Sequence, residues 1–192
     1  MVFGDIIIMQ FLLSESQQKI VDIIFNKYKD YKTYGDSHKA FTNGLRKSDI
    51  QILESSFQEY LTNEKIHIAM VLVEFIPWVI HTDYKKGDDR PGKAILIPWQ
   101  TQSTATVIFN ETCTNVFENY PKINDHVDSK TYEKYLSHCK WDDVQKVSIK
   151  EIFEWQRGKA VTWDRNLLHT SDNFIKNNVK IKTALVIFTS CV

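Results

Sequence analysis

The sequence predicts an α+β chain that is mainly β, an antiparallel β body closing as a sandwich or jelly roll, supported by N-terminal helices. Three observations point there. Helical periodicity is concentrated in the part of the chain up to Tyr60. From Ile66 onward the apolar segments are rich in β-branched and aromatic residues, which suit a pleated, half-buried surface. No helical pattern alternates with those segments, so the crossover helices a parallel sheet needs are missing.

Taken in order, the apolar stretch 2–13 reads as an N-terminal strand. It carries Asp5 and lacks the basic start and small-residue cleavage site of a secretory signal. Residues 14–32 read as a helix, with Ser14 or Ser16 as cap and Ile20, Ile23, Ile24, Lys27 and Tyr28 at helical spacing. Residues 48–60 repeat the pattern, with Ser48 as candidate cap and Ile52, Leu53, Phe57 and Tyr60 on one face. The apolar run 66–80 is too long for one flat strand, and Pro77 marks a break or bend in it. Further strands are expected at 93–99, 104–110, 159–164 and 180–190, separated by turn-like clusters at 86–92 and 173–178. Between 111 and 156 the chain reads as polar and irregular, with one short helix around 131–138.

The chain has 192 residues, 43% of them apolar and 25% charged, with 24 basic residues balancing 24 acidic ones. This length suits a single domain over 1–192 with a sizeable core. Zero net charge removes the simplest argument for a nucleic-acid or membrane-surface partner, and no apolar run reaches the roughly 18 residues a spanning helix needs. Cys113, Cys139 and Cys191 are odd in number and far apart, which argues for free thiols in a reducing cytoplasm over a disulfide scaffold or zinc knuckle.

The chemistry-bearing residues start with His81-Thr82-Asp83 at the end of the 66–80 run. Side chains two apart on a strand point the same way, so this imidazole and carboxylate can reach one metal ion. At this composition, about four sequences in ten carry such a spacing by chance, so the pair alone proves little. Farther on, Leu167-Leu168 leads into His169-Thr170-Ser171, then a polar turn, then a basic strand start running from Lys180 through Lys182-Thr183-Ala184. Two histidines and one carboxylate on one face of an Fe(II) ion leave positions open for other ligands. The remaining histidines, His38, His67, His126 and His138, have no partner spacing and read as surface or loop residues.

In this motif, H-x-D followed by a distal His and a basic residue ten to thirteen positions on, the sequence over 71–189 resembles the Fe(II)/2-oxoglutarate-dependent oxygenases. The phytanoyl-CoA-hydroxylase-like and prolyl-hydroxylase-like branches are the most similar. The resemblance implies a double-stranded β-helix (jelly roll, cupin-like) core. It implies His81, Asp83 and His169 as iron ligands and 2-oxoglutarate as co-substrate, whose distal carboxylate a basic residue would hold. Strand register favours Lys182 for that role, and counting from His169 favours Lys180. Ser171 matches a serine that helps hold the oxo acid in the phytanoyl-type branch, and Trp99 falls where that branch places an aromatic. The implied activity is a dioxygenase that hydroxylates a small-molecule or peptide substrate with dioxygen, releasing succinate and CO2.

Two other readings of the residues stand beside this one. The first is a non-catalytic jelly-roll module holding a metal or ligand. The second is a cupin-type metalloenzyme without 2-oxoglutarate, although such folds usually draw more histidines from their early strands than His81 alone. The loop at 85–92, directly after Asp83, is a candidate lid, and Asp164 and Arg165 are candidates for orienting a ligand.

Overall fold

The computed structural model describes residues 8–29, 40–61, 63–83, 92–112 and 127–191. The candidate lid at 85–92 lies outside them except for Gly92, as do residues 2–7 of the expected first strand. Among the described residues no helix is long and apolar enough to cross a membrane.

The first described elements are a short strand β1 (Met9–Leu12) and helix α1 (Glu15–Tyr28). Ser14 caps α1 in a reciprocal box: its hydroxyl accepts the Gln17 N–H, and the Gln17 side chain accepts the Ser14 N–H. The buried stripe of α1 is Val21, Ile24, Phe25 and Tyr28, while Ile23, expected on that face, points to solvent. Strand β2 (Ala40–Gly44) and helix α2 (Lys47–Ser56) follow. The α2 cap position is Arg46 and not Ser48. Buried Asp49 in its first turn is held by the Lys27 ammonium and the Tyr28 hydroxyl, and the helix starts two residues earlier than the serine suggests.

Among the described residues, two sheets form the body. The larger is built from β3 (Glu64–Glu74), β4 (Lys93–Pro98), β7 (Lys159–Asp164) and β9 (Lys182–Cys191), flanked by β1 and β2. Its antiparallel order is β1-β7-β4-β9-β3-β2. The smaller is β6-β5-β8, from β5 (Ala105–Thr112), β6 (Ile149–Glu154) and β8 (Leu167–Ser171). Together they make a double-stranded β-helix. Short helices α3 (Ser129–Thr131) and α4 (Trp141–Val144), with a wide turn at Tyr132–Leu136 between them, cover the outer face of the smaller sheet.

Side-chain alternation explains the layering. In β4, Ile95 and Ile97 pack under the helices, while Ala94 and Leu96 face the other sheet. In β9, Leu185 and Ile187 take the helix side, and Ala184 and Val186 the inside. Lys182 shares the parity of Ala184 and is therefore carried into the interior.

The apolar run 66–80, too long for one strand, is β3 only as far as Glu74, and residues 75–80 run irregularly past Pro77. The chain then rejoins the smaller sheet at one point, where His81 and His169 exchange backbone hydrogen bonds of 3.0 and 2.9 Å.

Candidate metal centre

The bridge between His81 and His169 decides the site. Directly opposed residues of an antiparallel pair hold their side chains on one face, and here the two imidazole centroids lie 4.3 Å apart. Asp83, two residues beyond His81, points the same way. One ligand atom from each of His81, Asp83 and His169 lies within 4.8 Å of the others. The backbone around this cluster is anchored by side chains. Thr82 Oγ1 donates to the Arg165 carbonyl at 2.8 Å, and Arg165 Nη2 donates to the Asp83 carbonyl at 3.3 Å. Upstream, the Trp78 carbonyl accepts from Thr170 Oγ1 and from His138 Nε2. His138, in the turn that follows Leu136, thus braces the segment leading into His81, a role its isolated spacing does not announce.

The protonation pattern suits a metal. His81 Nδ1 sits 2.8 Å from the Val79 carbonyl, and His169 Nδ1 sits 3.1 Å from the Leu167 carbonyl. A carbonyl oxygen only accepts, so each Nδ1 carries the proton and each Nε2 presents a lone pair. Burial pushes the His169 imidazole down to about 4, against the opposing pull of Asp83, so the ring is neutral at neutral pH. Its Nε2 lies 3.3 Å from Asp83 Oδ2. Two acceptor atoms facing each other at that distance are reconciled by a cation between them. The two imidazoles and one carboxylate fit the facial set that binds Fe(II) with open positions.

The cluster opens onto a cavity of about 440 Å³ between the sheets. Its walls are largely apolar, with Met70, Leu72, Leu96 and Val186 joined by Trp78, Trp155, Trp163 and Phe188. Ser171, two residues past His169, lines it, and its hydroxyl donates to Glu74 Oε2 at 2.8 Å.

The two candidate lysines separate clearly. Lys180 precedes β9 and is exposed, whereas Lys182 is 1% exposed in the interior. Its Nζ donates to the Ala105 carbonyl at 3.0 Å, lies 3.7 Å from Glu74 Oε2 and 3.8 Å from Asp172 Oδ1, and stacks 4.2 Å above the Trp155 ring. Trp99 is a correction: it stacks on Phe25 of α1 at 5.1 Å, on the helix side of the larger sheet, and does not line the cavity. The aromatic at the Lys182 end is Trp155, whose Nε1 donates to Thr106 Oγ1 at 2.9 Å. Neither Trp155 nor Glu74 sits at a spacing that marks it in the sequence.

No protein-family model matches the chain, and no curated relative does. Solved structures do. The non-haem alpha-ketoglutarate-dependent carbocyclase SnoK of nogalamycin biosynthesis aligns with a TM-score of 0.60 at 8% identity, over 97% of this chain and 80% of its own. A prolyl-4-hydroxylase from Pseudomonas putida aligns at 0.55 and 8% identity, over 98% and 94%. A 2OG-Fe(II) oxygenase-family oxidoreductase from Burkholderia pseudomallei aligns at 0.53 and 8%, over 96% and 84%. The chain has the fold of the 2-oxoglutarate–Fe(II) oxygenases. At such identities the likeness lies in the backbone, so what this oxygenase fold does here has to be argued from its own side chains.

Proposed function

We propose that this chain is an Fe(II)- and 2-oxoglutarate-dependent dioxygenase that hydroxylates a small-molecule or peptide substrate with release of succinate and CO2. The observation that carries this reading is the convergence of His81, Asp83 and His169 within 4.8 Å at the end of an apolar cavity. His81, Asp83 and His169 would hold the iron, and Lys182 would face the far carboxylate of the co-substrate, with Ser171 beside it. Bound iron with the oxo acid would supply oxidation of an unactivated C–H bond by dioxygen.

The chain's own contribution is geometry and exclusion of water. The Val79 and Leu167 carbonyls hold both imidazoles in the tautomer that offers Nε2. Trp163, its ring centroid 5.2 Å from that of His169, shields that imidazole on the apolar side. The tryptophan and aliphatic walls leave the substrate a dry compartment.

Anaerobic addition of Fe(II) and then 2-oxoglutarate tests the reading. A visible charge-transfer band is expected only with both present, followed by succinate formation on admitting oxygen. Metal binding without the band would point instead to a metalloprotein that does not use the oxo acid.

A further inference from the structure

The ammonium that the proposed function assigns to the co-substrate is already engaged. Lys182 has Ala105 O at 3.0 Å and two carboxylates, Glu74 and Asp172, at 3.7 and 3.8 Å. The carboxylates differ in how they are held. Asp172 is fully buried and locked from the protein side, accepting from Thr104 Oγ1 and, at 3.1 Å, from Asn177 Nδ2. Glu74 stands on the cavity side, where it lines the wall together with Ser171, Thr106 and Trp155, while Lys182 does not reach that wall. Glu74 closes the last position of β3 and pairs with Lys182 across the sheet. It is linked to β8 by the Ser171 hydroxyl. An anion approaching Lys182 from the cavity therefore meets a carboxylate first.

We propose that Glu74 is a specificity-determining residue that competes with the distal carboxylate of the 2-oxo acid for Lys182. This rests on the proposed function. His169 and Ser171 are two residues apart on one strand face, a step of roughly 7 Å. The Glu74 carboxylate on Ser171 thus occupies the place where a short dicarboxylate anchored at the metal cluster would put its far end. One ammonium between two carboxylates has no spare charge for a third. Binding of 2-oxoglutarate requires Glu74 to swing off Lys182, and an oxo acid with an uncharged tail escapes that requirement. The charge-assisted contact that normally favours a dicarboxylate is offset here by the contact that must be broken.

The test is calorimetric and needs no turnover. Protein loaded with Co(II) is titrated with 2-oxoglutarate and with 2-oxopentanoate, which has the same chain without the distal carboxylate. Wild type is expected to bind the two within about tenfold of each other. Glu74→Gln, which keeps the size and an acceptor for Ser171 but removes the charge, is expected to bind 2-oxoglutarate about tenfold or more tightly. Its affinity for 2-oxopentanoate should stay within about twofold, and adding Lys182→Met to it should abolish the gain. A loss of 2-oxoglutarate affinity in Glu74→Gln, or an equal change for both acids, overturns the proposal. So does a wild type that prefers 2-oxoglutarate by about a hundredfold, a measurement that stands even if the variant fails to fold. Cobalt binding with no affinity for either oxo acid in any variant brings down the proposed function itself, a result distinct from all of these.

Discussion

His169 shows how much one residue's surroundings decide. It is buried, neutral, oriented by its neighbour's carbonyl and set opposite a second imidazole. Replacing it with alanine is expected to lower Co(II) affinity by on the order of 100-fold or more while the far-UV circular dichroism stays native; unchanged affinity in calorimetry would remove it from the ligand set. Cys139 offers a pH-dependent check. Burial pushes its thiol up to about 11, so it stays protonated in the folded chain where an unfolded thiol, near 8.5, has ionised. The sign follows from linkage: this group's contribution to stability is intact below about pH 8.5 and is lost as pH rises toward 11. Iodoacetamide at pH 8 should therefore label Cys139 only after denaturation, as read by peptide mass spectrometry. Period-two spacing puts His81 and Asp83 on one face without knowledge of the sheet, whereas His169 joined them in the sequence only through the family resemblance. Trp99 was placed by the resemblance alone, and it follows Ile95 and Ile97 to the helix side of the sheet, a side that the continuous apolar run of β4 does not mark. Glu74 was missed because a strand-end acid reads as a solvated residue until β9 brings an ammonium beside it.

Among the elements, α1 and the tight approach at Gly92 give the sharpest expectations. Ser14→Ala removes one partner of the capping box and should cost about 1 kcal/mol in urea unfolding. At Gly92 an added Cβ would run into the Thr189 backbone carbonyl of β9. That neighbour is main chain within the sheet, so Gly92→Ala should destabilise by about 1–3 kcal/mol, measured as a lowered Tm. Strands β4, β7 and β9 were readable from their β-branched runs. Strand β6 was not: in its sequence, Ile149 to Glu154, only Phe153 is fully buried, and the rest is half exposed or solvated. The break at Pro77 was visible in the sequence, but the return of the chain at His81 was not, since a single bridge leaves no periodic trace.

For the whole molecule, the His81–Asp83–His169 cluster joins two distant stretches of the chain at the β8 edge of the smaller sheet, so an ion that binds there should stabilise the fold. At a free concentration of about 100 times its Kd, a divalent ion adds about 2.7 kcal/mol, a rise in Tm of roughly 5–10 °C for a chain of this size. Differential scanning fluorimetry with and without Co(II) measures it, and the rise should vanish in the His169→Ala variant. The larger sheet carries another consequence. Both of its border strands, β1 beside β7 and β2 beside β3, come from the N-terminal part of the chain, which also supplies α1. Trimming that part would bare two rows of unpaired peptide groups at once, on opposite flanks, and strip the greasy underside of the sheet with them. Such a fragment would meet its own copies edge to edge and grow into insoluble assemblies, whatever became of its chemistry.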